Sequence, residues 1–105
     1  MYTREYVLQK LKELKPKYKT EGLEILGLFG SYAKNTATEK SDIDILYTLD
    51  SEKFYSKHDG FKSFSRLADI KRELEMFFGK DVDICAKSGL SRTGEKYILG
   101  TTIYV

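Results

Sequence analysis

Two aspartates inside an apolar run constrain this chain more than any other feature of its sequence. Residues 26–46 read LGLFGSYAKNTATEKSDIDIL, so one apolar run ends at Gly30-Ser31 and a second one carries Asp42 and Asp44. Side chains at i and i+2 of a strand point to the same face, which would bring both carboxylates together while the isoleucines face the core. Like charges on one strand face repel, and burying them costs free energy unless a cation lies between them.

The same stretch predicts the ligands of such a site. Carboxylate oxygens that converge on one face suit magnesium or manganese, so Asp42 and Asp44 are predicted to hold metal. A Gly-Ser turn after a strand can offer backbone N–H groups and a hydroxyl to phosphate oxygens, which assigns Gly30 and Ser31 to a nucleotide triphosphate. The alternative is an exposed strand edge with two solvated aspartates, and the isoleucine-rich surroundings disfavour it.

The spacing of these residues resembles a known signature. Gly30-Ser31, ten further residues and then Asp42-Ile43-Asp44 are similar to the pattern of the polymerase-β-type nucleotidyltransferase superfamily. The small size resembles its minimal nucleotidyltransferase branch, often the antitoxin partner of a HEPN-domain protein. This resemblance covers nearly the whole chain, and it implies an α/β (α+β) fold in which helices pack on a small mixed β-sheet like the polymerase β palm.

The resemblance also implies a third carboxylate, which lies on a later strand, completes the metal site and helps to deprotonate the attacking hydroxyl. Residues 82–85, which read VDIC, look like that strand. Asp83 is the predicted residue because Val82 and Ile84 would bury the strand around it. Asp81 is the competing candidate, since it would lie on the same face two residues earlier, at the mouth of a turn.

Two residues near the Gly-Ser turn depart from the family pattern. Lys34 stands where the family frequently has arginine, and it could meet phosphate as a point charge but not bidentately; the alternative is a solvated loop lysine. Asn35 stands where the family frequently has glycine. The single histidine, His58, is interpreted as a loop residue outside the chemistry, and Cys85 as a small buried hydrophobe.

Composition sets broad limits on the protein class. At 105 residues, residues 1–105 are predicted to form one domain, and 41% hydrophobic and 32% charged residues are ordinary for a soluble globular protein. A net charge of +2 without a long basic block argues against stable nucleic-acid binding. One cysteine excludes an intrachain disulfide, and neither a membrane span nor a signal peptide is predicted, so a cytoplasmic protein is expected.

Hydrophobic periodicity predicts the secondary structure. A first helix begins after Thr3 and carries a stripe of Val7, Leu11 and Leu14, and Pro16 is predicted to end or kink it. The other predicted elements are a strand at 23–29, a helical turn at 31–35, polar loops at 36–40 and 50–59 (the second mobile), a strand at 42–49, a helix at about 60–78, a strand at 81–86, a turn at 88–93, a helix at 94–99 and a strand or interface segment at 101–105. The apolar face of the helix at 60–78 comprises Phe64, Leu67, Ala68, Leu74, Phe77 and Phe78 and is interpreted as mainly core, with any surplus forming an interface.

The predicted function is nucleotidyl transfer. The resemblance implies that the enzyme transfers AMP from ATP to a hydroxyl, with two magnesium ions, or manganese, held by Asp42, Asp44 and Asp83. A chain this small leaves little room for an acceptor pocket, so the acceptor would be supplied by a partner macromolecule. The resemblance suggests a HEPN-type ribonuclease toxin that is silenced by adenylylation of a tyrosine, which would make this chain an antitoxin. A homo-oligomer is also compatible with the sequence.

Three rival functions remain open at this point. A non-catalytic antitoxin could act by binding and occlusion, although the intact set of site residues argues against a decayed site. A small-molecule nucleotidyltransferase, such as an antibiotic adenylyltransferase, usually carries an additional helical domain. A template-dependent polymerase palm is disfavoured by the absence of fingers, thumb and a basic surface.

Overall fold

A four-stranded mixed sheet carries the fold in the computed structural model, which describes residues 2–105. In chain order the elements are α1 (Arg4–Lys19), β1 (Leu23–Phe29), α2 (Gly30–Ala33), β2 (Ile43–Leu49), α3 (Ser51–Lys57), α4 (Phe61–Phe78), β3 (Val82–Ala86), a 3₁₀ turn (Lys87–Gly89), α5 (Arg92–Thr101) and β4 (Ile103–Tyr104). The strand order is β3-β2-β1-β4, with β1 antiparallel to β2 and β4, and with β2 parallel to β3. The predicted fold class, a small mixed sheet with packed helices, is the one observed.

Alternation along β2 decides which side chains enter the core. Ile43, Ile45 and Tyr47 belong to one buried cluster with residues of α1 and α4. Fully burying an aliphatic side chain of this size stabilises the fold by about 1.5–3 kcal/mol, so this face of β2 is strongly specified. Asp44 lies between two of these residues and therefore points to the opposite face of the sheet.

The first helix does not end at Pro16, which was one of the two predicted outcomes. It continues to Lys19 with Pro16 inside it. Proline removes one backbone hydrogen bond and normally kinks or breaks a helix. Here the next turn is held by tertiary contacts, because Tyr18 is only 1% exposed and its hydroxyl donates to Glu73 Oε1 over 2.9 Å.

The predicted mobile loop at 50–59 is wrong, because residues Ser51–Lys57 form α3. The Asp50 side chain caps this helix by accepting a hydrogen bond from the Lys53 N–H over 3.2 Å. Phe54 is fully buried and anchors it, and the Asp50 N–H donates to the Gly22 carbonyl over 2.7 Å. One buried residue in a short helix leaves no periodic pattern, so hydrophobic periodicity could not reveal this element.

The predicted core face of α4 is only partly right. Leu74 and Phe78 are buried together with Ile70. Phe64 is 74% exposed and Phe77 is 47% exposed, so these two residues are not core. A helix of 18 residues contacts the sheet along one stripe, and its apolar residues outnumber the positions on that stripe.

The C-terminal region completes the sheet. The final segment forms β4, which pairs with β1 at Gly27 and Leu28, so the predicted terminal strand is confirmed. The last helix, α5, is longer than predicted, beginning at Arg92 within the predicted turn region and ending at Thr101. The other elements begin or end within a residue or two of the predicted bounds. Within residues 2–105 no helix is both long and apolar enough to cross a bilayer.

Candidate active site

The sheet register brings the predicted site residues into one row. Asp44 is the Cα partner of Phe29 on β1 and of Asp83 on β3. Partner residues on adjacent strands share a face, so the Asp44 and Asp83 side chains lie side by side, away from α1 and α4. Asp42 is exposed and immediately precedes β2. The structure therefore places all three predicted carboxylates at one end of the sheet.

Asp44 is electrostatically strained in this position. Its side chain is half-buried, and burial, followed by the charges of Asp83 and Asp42, raises its pKa to about 6. Within residues 2–105 no lysine, arginine or histidine forms an ion pair with any of the three aspartates. Three carboxylates close enough to act on one another, and without a basic partner in the described chain, form a site that favours a cation.

Asp81, the competing candidate, is not the partner of Asp44 in the sheet register. It lies exposed just before β3 and is not among the charges that raise the pKa of Asp44. Its backbone carbonyl accepts a hydrogen bond from the Ile43 N–H over 3.1 Å, which extends the parallel pairing of β2 and β3. The contribution of Asp81 is thus made by its backbone, whereas Asp83 stands directly beside Asp44.

Gly30 brings the Gly-Ser turn against Asp44. Its φ of 75° lies in the left-handed region, which glycine adopts readily. A Cβ atom built on Gly30 would clash with Asp44 Oδ2 and lie 3.0 Å from Asp44 Cγ, so no other residue fits without a shift. Ser31 follows directly and is half-buried at the start of α2. The backbone and hydroxyl of this turn therefore border the carboxylate cluster.

Lys34 lies at the end of α2, on an exposed part of the surface. Its Nζ atom is 5.5 Å from the ring centroid of Tyr97 on α5, and no carboxylate in residues 2–105 pairs with it. The aromatic face stabilises the ammonium without neutralising its charge. Nothing in the sequence distinguished Tyr97 from the other seven tyrosines, so its proximity to Lys34 is a finding of the structure.

The structure also describes the surroundings of Asn35, His58 and Cys85. Asn35 has φ of 60°, a left-handed conformation that asparagine tolerates better than most residues and that explains how it can occupy a glycine position. His58 ends α3, and its Nε2 atom lies 3.1 Å from Glu21 Oε1, so it belongs to a different cluster. Cys85 is half-buried, and burial raises its pKa.

The donor set fits a hard divalent cation. Asp42, Asp44 and Asp83 offer only carboxylate oxygens, which magnesium and manganese prefer. A cation would also relieve the repulsion that raises the pKa of Asp44. The three side chains do not form a closed ligand cluster, because no group of three histidine, cysteine, aspartate or glutamate residues within 2–105 meets that geometry.

Known proteins resemble this chain over most of its length. The nucleotidyltransferase domain family matches residues 5–104. A candidate protein adenylyltransferase of Methanocaldococcus jannaschii is 36% identical over 85 residues, which are 80% of this chain and 75% of the relative. The protein adenylyltransferase MntA of Thermococcus cleftensis is 33% identical over 94 residues, which are 90% of this chain and 83% of MntA.

One solved structure has the same fold. It is described as a candidate minimal nucleotidyltransferase and superimposes with a TM-score of 0.74, covering 99% of this chain and 97% of its own. Its sequence identity of 24% supports the fold alone. The family match over nearly the full length, together with the relatives above, shows that this chain is an enzyme of the nucleotidyltransferase domain family, with the fold of its minimal members.

Proposed function

We propose that this chain uses ATP and magnesium to transfer AMP to a tyrosine hydroxyl of a HEPN-domain partner protein, and that it acts in the cytoplasm as the antitoxin of that partner. The observation that carries the proposal is the position of Asp44, which lies between Gly30 on one side and Asp83 on the other. The names of the relatives, which are protein adenylyltransferases, support a protein as the acceptor.

The phosphate side of the site is the β1 side. Gly30 and Ser31 would contribute backbone N–H groups and a hydroxyl to the β- and γ-phosphates. Lys34 would contribute a positive charge that no carboxylate in the described chain neutralises, held near Tyr97. This arrangement binds and orients the pyrophosphate part of the nucleotide, which becomes the leaving group.

The carboxylates would hold the metal. Asp42, Asp44 and Asp83 are the proposed ligands of two magnesium ions, for which manganese can substitute. When bound, such ions neutralise phosphate charge and stabilise the transition state of an in-line displacement. With a pKa of about 6, Asp44 is mainly ionised at neutral pH and is available as a charged ligand.

The proposed reaction is a single displacement at phosphorus. The tyrosine oxygen forms a bond to the α-phosphorus while the bond between that phosphorus and the bridging oxygen to the β-phosphorus breaks. Pyrophosphate leaves on the Gly30 and Ser31 side. The hydroxyl proton passes to the Asp83 carboxylate, which is exposed and can release it to water.

The test is the intact mass of the partner. The product of the gene beside this chain's gene, which the proposal expects to be a HEPN-domain protein, would be incubated with ATP, magnesium and a small amount of this protein. The expected result is a mass gain of one or more AMP units on many partner molecules per enzyme, absent with the Asp42→Asn Asp44→Asn double variant. A partner that stays unmodified and is inhibited only at an equimolar ratio would contradict the proposal and indicate occlusion.

A further inference from the structure

The edge of the sheet next to the carboxylates is free of a neighbouring strand. β3 lies at the end of the strand order and pairs only with β2 among the described residues. The Ile43 N–H bonds to the Asp81 carbonyl, so alternate residues from Asp81 onward turn their backbone groups to β2. Ile84 and Ala86 belong to the other set, whose N–H and C=O groups point outward.

Most of this outward edge has no partner in the described chain. The Val82 N–H donates to Glu75 Oε2 over 3.3 Å, which covers one end of the edge. Outside the pairing with β2, no backbone–backbone hydrogen bond of residues 2–105 involves Ile84 or Ala86, and the Cys85 thiol donates weakly to the Ala86 carbonyl over 3.9 Å. Natural edges are usually protected by lysine, proline, a bulge or a covering element, and β3 (VDICA) contains neither lysine nor proline.

The proposed chemistry requires the acceptor to arrive from this side. An in-line displacement places the attacking oxygen opposite the leaving group. Pyrophosphate leaves toward Gly30, on the β1 side of Asp44, so the hydroxyl has to approach from the β3 side. Phe29, Asp44 and Asp83 form a row across β1, β2 and β3. The next position in that row would be a residue of a strand added beside β3.

The depression beside Tyr32 and Lys80 is not lined by any residue of the carboxylate site. A cavity of about 520 Å³ is lined by Tyr2, Tyr32, Glu39, Phe78, Gly79 and Lys80. Phe78 and Tyr32 belong to the buried cluster on the α1 and α4 side of the sheet. Because neither Asp44 nor Asp83 lines this cavity, we place the acceptor beside β3 instead.

We propose that the free edge of β3 binds an extended segment of the acceptor protein, which adds as a fifth strand and presents its tyrosine beside Asp83. This inference rests on the proposed function. Backbone hydrogen bonds to Ile84 and Ala86 bind the segment, as in other cases of strand addition. Exposed Asp81 and Lys87 at the two ends of β3 favour a segment with a basic residue near the first and an acidic residue near the second.

The reach of the side chain selects the acceptor residue. Cross-strand partners share a face, so the residue opposite Asp83 would point to the side of the sheet that carries Asp44. It would start roughly 9.6 Å from the Asp44 backbone, which is two strand spacings. A serine or threonine hydroxyl close to its own backbone cannot cover that distance, whereas the phenol of tyrosine extends toward Asp44. Tyrosine is therefore the residue that the geometry favours.

Two measurements on the intact chain test the docking edge. In the first, amide hydrogen exchange is followed by NMR with and without the neighbouring HEPN-domain protein. The Ile84 and Ala86 amides should exchange about tenfold more slowly in the complex, while the Val82 amide, already bonded to Glu75, should change little. Unchanged exchange at Ile84 and Ala86 while AMP transfer proceeds would overturn the proposal.

In the second measurement, Ala86→Pro removes an outward N–H without touching the pairing with β2, and Ala86→Val is the matched control that keeps it. The proline variant should raise the acceptor KM about tenfold, as expected for a lost hydrogen bond and a blocked edge, with unchanged binding of a non-hydrolysable ATP analogue. An acceptor KM equal to that of Ala86→Val would overturn the inference. Retained analogue binding shows that the proline variant is folded.

The outcomes separate this inference from the proposed function. If the partner protects the Ile84 and Ala86 amides but gains no AMP, the edge is a docking site and the proposed transfer is wrong. If AMP transfer occurs without protection, the transfer stands and the docking site is wrong. Protection that grows with the concentration of this chain alone, with a dimer in sedimentation, would show that a second copy occupies the edge and would overturn the acceptor assignment.

Discussion

Two clusters of acidic side chains in this protein differ in whether basic groups of the chain balance their negative charges. In the Arg66 cluster, Arg66 Nε and Nη2 each donate to Glu21 over 2.6 Å, and Nη1 donates to Glu73 over 2.6 Å. These hydrogen bonds lower the pKa of both glutamates. In the carboxylate site, burial and neighbouring aspartates raise the pKa of Asp44 instead. The first cluster is balanced by basic groups of the chain itself, and no basic side chain of residues 2–105 forms an ion pair with the second.

The positions of the clusters show what each arrangement achieves. Arg66 joins α4 to the residue that leads into β1, and Glu73 also accepts the Tyr18 hydroxyl of α1, so this cluster holds three elements together. The carboxylate site begins at the other end of β1, one strand of seven residues away, or roughly 23 Å. Because the clusters share no partner at that separation, changes to one should add independently to changes to the other.

The largest expected effect on activity follows from replacing the charged side chain of Asp44 with a neutral one. Asp44→Asn should lower the rate of AMP transfer by roughly three orders of magnitude, the scale of losing a metal ligand or an acid–base group. The measurement is transfer of label from α-labelled ATP to the partner. Arg66→Met serves as the contrasting control and should retain the rate below its melting temperature. A rate within tenfold of wild type for Asp44→Asn would refute the assignment.

Substitutions at Asp83 and Asp81 distinguish the two candidates for the third carboxylate of the site. Asp83→Asn should lower kcat by about a hundredfold, because it stands beside Asp44 and is the proposed proton acceptor. Asp81→Asn should change kcat by less than about twofold, since only its backbone takes part in the pairing of β2 and β3. Steady-state kinetics of the two variants decide between them, and a reversed order would assign the role to Asp81.

Removing the Arg66 guanidinium should lower the free energy of unfolding. Arg66→Met removes the guanidinium from Glu21 and Glu73, leaving His58 near Glu21 and Tyr18 and Lys17 near Glu73. Removing one member of a buried ion pair costs about 3–5 kcal/mol. Glu73 is partly exposed, so we expect about 3 kcal/mol, measured by urea denaturation at pH 7. A triple variant that also carries Glu21→Gln and Glu73→Gln should recover part of the loss. A loss below about 1 kcal/mol would show that solvent already screens these charges.

The smallest expected effect is a gain in the free energy of unfolding that depends on pH. Because the folded-state pKa of Asp44 lies above its ordinary value, the folded protein binds the additional proton, and stability without metal should fall as pH rises from about 4 through about 6. Asp44→Asn should therefore raise the stability at pH 8 by about 1 kcal/mol, an amount reduced by partial solvent exposure, and change it little at pH 4. Thermal denaturation without metal measures both. An equal gain at both pH values would attribute the effect to packing.

Glu21 and Glu73 make the stability of the protein depend on pH in the direction opposite to Asp44. Their lowered pKa values mean that their contribution to stability is present above the ordinary glutamate range and lost as pH falls below it. The metal-free protein should therefore be most stable at mildly acidic pH, between the two effects. Magnesium should move this optimum upward, since it binds the ionised form of Asp44. A magnesium-independent pH profile would argue against a metal at the carboxylate site.

The sequence alone was sufficient to predict the residues of the proposed site. Alternation in residues 43–46 was sufficient to place Asp44 off the core face, whereas the meeting of the Gly30 turn with the aspartates was implied by the resemblance of their spacing to the family signature. The first inference succeeds because the period of a strand is a local property of the chain.

The tertiary structure decided what depends on contacts between distant segments. The register of β2 against β3 places Asp83 directly beside Asp44; the pattern of VDIC favoured Asp83 over Asp81 but could not give that pairing. Arg66 on α4 reaches Glu21, which precedes β1, as well as Glu73 on its own helix, and the strand order leaves β3 at an edge. Pairing, long-range neutralisation and exposure are settled by which surfaces the whole chain buries, because the free energy of each contact depends on residues far away in sequence.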